Sequence, residues 1–159
     1  MGRFRVEDAP ALVRAARIDA GLMQAELAGR AGVVQPSISQ IERGCRTVSP
    51  EMLEHIFEAV DYRPSLALKA HAERIREIAD IHGLENLRVF GSALIGSDGY
   101  CSDMDLFYAP HEGVSPFDVV LFSREVEELT GFSVDAVSDR STAVKRGMLA
   151  ESLHEDVSL

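Results

Sequence analysis

Apolar residues first recur at the spacing of a helix and later switch to strand-like alternation, so the chain reads as an all-helical front part followed by a mixed part. Met1 to Ala9 shows no period and reads as a short frayed arm, with Arg3 and Arg5 available for phosphate contacts. From Pro10, a residue tolerated in a first helical turn, Leu12 and Ala16 mark a first helix that Gly21 stops, with Leu22 on the same side. Met23 to Arg30 predicts a second short helix with Leu27 and Ala28 inward and Gly32 as terminator. Gln35 to Arg43 predicts a third, started by Pro36, with Ile38 and Ile41 facing the core, and Pro50 to Val60 a closing one built on Leu53, Ile56, Phe57 and Val60. Asp61-Tyr62-Arg63-Pro64 then breaks the pattern, because a residue before proline avoids helical angles. Ser65 is placed to cap a further helix through Leu66, Leu68, Ala72, Ile75, Ile78 and Ala79 to Gly83.

Beyond that point Leu87 to Phe90 is a mainly apolar run stopped by Gly91, and Met104, Leu106 and Tyr108 alternate with Asp103, Asp105 and Phe107; both read as strands. Pro116 to Gly131 carries Val119, Val120, Phe122, Val126 and Leu129 against solvated Glu125, Glu127 and Glu128, a helix. Phe132 to Val137 alternates again around Asp135, and 142–159 reads as a helix and tail. The order predicts a small mixed sheet covered by helices, in an α/β (α+β) domain spanning 64–159 behind an all-α five-helix domain spanning 1–63.

Charge sharpens this division. The net charge is −10, yet residues 1–70 hold nine Lys+Arg and nine Asp+Glu whereas residues 71–159 hold seven and seventeen. DNA repels a carboxylate-rich surface, so only the front part suits nucleic acid, and the acidic part suits metals or a basic protein. Cys45 and Cys101 are too few for a disulfide framework, and the five histidines lack ligand spacing. With no signal peptide and no apolar run of membrane-spanning length, the expectation is a soluble cytoplasmic protein that does not meet the membrane.

The candidate chemistry lies between Val89 and Phe107. Residues i and i+2 of a strand share a face, so Asp103 and Asp105 project side by side, where two carboxylates repel unless a cation separates them. Such oxygen ligands suit Mg²⁺, which keeps waters for substrate phosphates. Gly91 permits a positive φ and close backbone approach, and Ser92 adds a hydroxyl beside backbone N–H groups able to meet phosphate. A Gly-Ser about ten residues before Ser-Asp-x-Asp, between two strands, resembles the minimal nucleotidyltransferases of the DNA polymerase beta superfamily. The resemblance adds Asp135 as a third acid, in a stretch similar to the family's V-D-L-V. It implies that Asp103, Asp105 and Asp135 are the catalytic acids, holding two Mg²⁺ ions, with Asp135 sharing one metal and helping to deprotonate the attacking hydroxyl. Gly91 and Ser92 would bind ATP or another NTP. Many members carry an arginine soon after the Gly-Ser, whereas Gly91-Ser92-Ala93-Leu94-Ile95-Gly96 has no basic residue.

In the front part, Arg17 to Ala28, Ala31-Gly32-Val33, Ile38 and Ile41-Glu42-Arg43-Gly44 resemble the phage-repressor and Cro class of helix-turn-helix, over about Pro10 to Val60. That resemblance puts Gln24 on a phosphate and Gln35, Ser37, Ser39 and Gln40 on base edges or nearby phosphates, with Arg43 and Arg46 on the backbone. It makes Arg17 and Glu42 an internal ion pair and implies a homodimer on double-stranded operator DNA. Met23 and Val34 stand where the class usually has a Ser, Thr or Asn cap, each costing about 1 kcal/mol. The fusion resembles the antitoxins of toxin-antitoxin operons, which repress their own operon and bind a toxin, often an HEPN ribonuclease, to which they can transfer AMP. The alternative is a regulator whose nucleotidyltransferase-like part senses nucleotide or dimerises without turnover.

Overall fold

The computed structural model describes residues 2–141 and 157–159. Helix α1 (Ala9–Asp19) follows a short 3-10 turn (Val6–Asp8), buries Leu12, Val13 and Ala16, and ends where Gly21 turns left-handed. Helices α2 (Gln24–Arg30), α3 (Gln35–Glu42) and α4 (Pro50–Ala59) complete a helix-turn-helix unit around Leu27, Ile38, Ile41, Leu53, Ile56 and Phe57. Met23 cannot cap α2 with its own side chain, but the Glu26 carboxylate turns back to accept its N–H at 2.7 Å, which satisfies part of the helix start. Val34 gives α3 no side-chain cap.

Helix α5 (Pro64–Ile81) begins one residue before the expected cap. Ser65 does not cap it; instead its N–H donates to Asp98 Oδ2 at 2.7 Å, a carboxylate 33 positions away in sequence. An anion there also meets the positive end of the helix.

Strands β1 (Leu84–Val89), β2 (Met104–Pro110), β3 (Val134–Ser138) and β4 (Val157–Ser158) form one sheet in the order β3-β2-β1-β4. β1 runs antiparallel to β2 and β4, while β2 and β3 are parallel, joined by helix α7 (Pro116–Thr130). A one-turn helix, α6 (Ser92–Ile95), follows β1. The all-α front part and small mixed sheet match the architecture expected from the sequence. Residues 142–156, most of the stretch expected to form a helix and tail, lie outside the described residues; at its end Val157–Ser158 form β4. Among the described residues no helix is long and apolar enough to cross a membrane.

One buried cluster runs from Val13, Ile38 and Phe57 through Ala67, Ile75 and Ile78 of α5 to Leu84, Met104, Leu106, Phe122 and Val126. On the other face of the sheet, Phe90 and Phe107 stack at 4.0 Å and 21°, with Val137 against them.

The N-terminal arm is not frayed. Phe4 is 5% exposed and meets Phe57, Tyr62, Tyr100 and Phe132, drawn from four separate segments. The Arg3 guanidinium lies 4.7 Å from the centroids of Tyr100 and Phe132 and 4.9 Å from that of Phe4, and donates to Gly131 O at 2.6 Å and Tyr100 O at 3.0 Å. Each cation–π contact is worth about 0.5–2 kcal/mol. Arg3 is therefore spent on holding the arm against both parts of the chain, and Arg5 faces Asp8 at 3.6 Å, so neither stands out as a free phosphate ligand.

Candidate functional site

The acids converge through strand register. In the parallel β2–β3 pair, Asp105 stands opposite Asp135, and Asp103 precedes Asp105 by two residues, so alternation directs all three to the sheet face opposite the main core. Asp103 and Asp135 are exposed and Asp105 is half-buried. Burial pushes the Asp105 carboxyl up from its ordinary value, and the charges of Asp135 and then Asp103 push it the same way.

Gly91 packs against this carboxylate. Its φ of 70° and ψ of −148° belong to a region that L side chains avoid, and a Cβ there would overlap the Asp105 carboxylate, with Cγ only 3.0 Å away. The Phe90 N–H donates to the Asp105 backbone oxygen at 3.1 Å, which fixes the turn to the acid strand. Ser92, half-buried, opens α6 beside them.

Among the described residues no three Asp, Glu, His or Cys side chains stand as a ready metal-ligand group. The donor set still fits a hard divalent ion, because the like-charge repulsion raised at Asp105 is relieved by a proton or by a cation. Asp103, Asp105 and Asp135 are the residues that would hold it.

The loop that delivers Asp103 is tied to the joint at α5. Asp98, its side chain wholly buried, takes the Ser65 N–H and lies 3.7 Å from Arg63 Nε, while the Tyr100 N–H donates to Asp61 Oδ1 at 2.8 Å. The sequence reading passed over Asp98; no local pattern distinguishes it, because its partner is the start of a helix far back in the chain. It also passed over Arg88. Arg88 stands opposite Phe107 in the β1–β2 register, hence on the acid face, with its guanidinium 5.9 Å from the Phe107 centroid and Nη2 3.4 Å from Asp139 Oδ2. Period-two counting back from Phe90 would have put it there.

In the front part the polar residues form a chain of amides. Gln35 Nε2 donates to Gln24 Oε1 at 3.0 Å, Gln24 Nε2 to Glu42 Oε2 at 2.8 Å, and Glu42 is held by Arg17 through two bonds of 2.5 and 3.0 Å. Gln35, Gln40, Arg43 and Arg46 are exposed and Ser39 is half-buried. Ser37 is 8% exposed and its hydroxyl accepts from Nη1 of exposed Arg46 at 2.8 Å, which anchors Arg46 to α3. Arg43 Nε donates to Ser39 O at 3.1 Å along the same helix. Removing both exposed amides, Gln35→Ala with Gln40→Ala, is expected to abolish selective operator binding while circular dichroism of the sheet part stays unchanged; unaltered gel-shift affinity and selectivity would refute it.

A helix-turn-helix joined to a small mixed sheet with acids paired across parallel strands defines a DNA-binding domain fused to a nucleotidyltransferase-type fold. The comparisons agree. A helix-turn-helix domain model matches residues 11–72. A solved structure of a minimal nucleotidyltransferase is 32% identical, the match covering 62% of this chain and 98% of that one with a TM-score of 0.54. No curated protein matches the chain. The chain belongs to the minimal nucleotidyltransferases, with a helix-turn-helix domain at its front.

Proposed function

We propose that the protein is an antitoxin that represses its own toxin-antitoxin operon through the helix-turn-helix, as a dimer on operator DNA, and that its sheet part binds the cognate toxin and nucleotidylates it with Mg-NTP. The observation that carries the transferase half is Asp105 set opposite Asp135 with Gly91 packed on its carboxylate. Bound Mg²⁺ would supply charge neutralisation between the carboxylates and the triphosphate. Asp103 and Asp105 would orient the triphosphate with Gly91 and Ser92 against it. Exposed Asp135 would take the proton from a Tyr, Ser or Thr hydroxyl of the toxin. That oxygen attacks the α-phosphorus in line, a P–O ester bond forms, the bond to the β-phosphate oxygen breaks, and pyrophosphate leaves.

A second reading, a regulator that senses nucleotide without turnover, is favoured by the stretch from Gly91 to Gly96, which offers no basic side chain. Incubation with α-labelled ATP, Mg²⁺ and the product of the adjacent reading frame separates the two. Label on the partner that disappears in Asp103→Ala is the expected result; nucleotide binding with no transfer would leave the sensor.

A further inference from the structure

Asp105 is fixed by the sheet on both sides, since its backbone oxygen takes the Phe90 N–H at 3.1 Å and its register partner is Asp135. Asp103 lies one residue outside β2, which begins at Met104, so the loop in front of it, 96–102, decides where its carboxylate stands. That loop is stiff in itself: the Gly99 N–H donates to Ser102 Oγ and the Ser102 N–H to Gly99 O, both at 2.9 Å. A hold on Asp98 or Tyr100 is therefore carried to the residue next to Asp103.

The holds come from the front of the chain. Wholly buried Asp98 takes the Ser65 N–H on Oδ2 at 2.7 Å, while its Oδ1 has no hydrogen-bond partner among the described residues and faces Arg63 Nε at 3.7 Å. Arg63 is itself tied to Asp19 of α1 at 2.8 Å. Asp61 takes the left-handed turn after α4, at a φ of 53°, where a helix end usually has glycine; its Oδ1 accepts the Tyr100 N–H at 2.8 Å, a contact that glycine could not make. Tyr100 O in turn accepts from Arg3 Nη2 at 3.0 Å. Burying a half-satisfied carboxylate and turning an aspartate left-handed are both costly, which points to a requirement on the loop rather than to packing alone.

Resting on the nucleotidyltransferase reading above, we infer that Asp98 and Asp61 are positioning residues for Asp103: they clamp the 96–102 loop to the helix-turn-helix half so that Asp103 stands where it can share a divalent ion with Asp105. The DNA-binding half thus completes the acid site. Neither residue touches metal or nucleotide, and their effect on both passes through Asp103.

The test is Mn²⁺ titration of the full chain, followed by electron paramagnetic resonance, with hydrogen exchange of the metal-free protein read by mass spectrometry. Asp98→Ala and Asp61→Gly are each expected to weaken Mn²⁺ binding roughly tenfold or more, the scale of a lost partner behind a metal ligand, and to speed exchange across 96–103 while strand amides stay protected. Asp98→Asn, which keeps an oxygen for the Ser65 N–H, is expected to recover part of the loss. Ser115→Ala removes the side-chain cap of α7, beside the opposite end of α5, and is expected to lower the melting temperature while changing Mn²⁺ affinity by less than about threefold. Should Asp98→Ala not fold, Asp61→Gly carries the test. Wild-type Mn²⁺ affinity in the folded variants of Asp98 and Asp61, or an equal loss in Ser115→Ala, would overturn the positioning role while the metal site stood. A wild-type chain that takes up no Mn²⁺ would instead overturn the nucleotidyltransferase reading itself.

Discussion

Arg17→Met is expected to destabilise the protein by about 3–5 kcal/mol, read as a fall in the urea midpoint with an unchanged slope. The Glu42 side chain is only 4% exposed, and Arg17 satisfies it with two hydrogen bonds while donating a third, from Nη1 to Leu22 O at 2.8 Å. Truncation would leave a buried carboxylate with one amide partner, Gln24, and an orphaned carbonyl. Replacing both members of the pair, as Arg17→Met with Glu42→Leu, should restore much of the loss, because the penalty lies in the uncompensated charge rather than in the absent attraction.

The pH dependence has a definite sign. Burial pushes the Glu42 carboxyl up, but hydrogen bonds from Arg17 and Gln24 and the charge of Arg17 outweigh it, leaving the carboxyl below its ordinary value of 4.5. The hydrogen bond to Glu42, partly offset by burial, raises Arg17 in turn. A depressed folded-state value means that the carboxylate's contribution is fully present above pH 4.5 and is lost as the pH falls through the folded value. In Arg17→Met the largest of the lowering causes is gone while burial remains, opposed only by the Gln24 hydrogen bond and the charge of Arg14, so the Glu42 carboxyl is pushed upward relative to wild type. The stability gap between wild type and variant should therefore be widest near neutral pH and narrow as the solution is acidified. A gap independent of pH would show that packing, not charge, holds this corner.

What was legible in the sequence follows from how local each cause is. The helices of the front part could be read within a residue or two, since Gly21 and Gly32 mark their ends and Leu27, Ile38, Leu53 and Phe57 keep helical spacing. Ser37 could have been read as buried too, being four residues before Ile41 on the same stripe. The acid pairing was half legible: alternation put Asp103 and Asp105 on one face, but the register that sets Asp105 opposite Asp135 depends on how α7 carries the chain back. Arg3 and Phe4 were not legible at all. One aromatic in a polar arm has no period, and its partners come from α4, the joint, the loop before β2 and the turn after α7. Asp98 escaped for the same reason, as its role at the start of α5 exists only once both parts have folded together.

The turn at Gly91 yields the second large effect: Gly91→Ala is expected to eliminate label transfer and to cost about 1–3 kcal/mol of stability from backbone strain alone. Two causes act together there. The backbone at φ 70° and ψ −148° is essentially closed to alanine, and the new Cβ would enter the space of the Asp105 carboxylate. Asp105 cannot retreat along its strand, because pairing with Asp135 on one side and the Phe90 N–H on the other fixes its backbone, so the carboxylate has to rotate off the site or the turn has to move. Gly96 provides the control for the first cause without the second. It too has positive φ, at 72° with ψ 25°, yet a Cβ there meets nothing within 4 Å. Gly96→Ala should thus lose about 1–2 kcal/mol while retaining transfer and Mn²⁺ binding, the cost of a left-handed residue and nothing more. Should Gly91→Ala bind Mn²⁺, followed by electron paramagnetic resonance, and transfer label as well as Gly96→Ala does, the close approach of this turn to Asp105 would have no part in the chemistry.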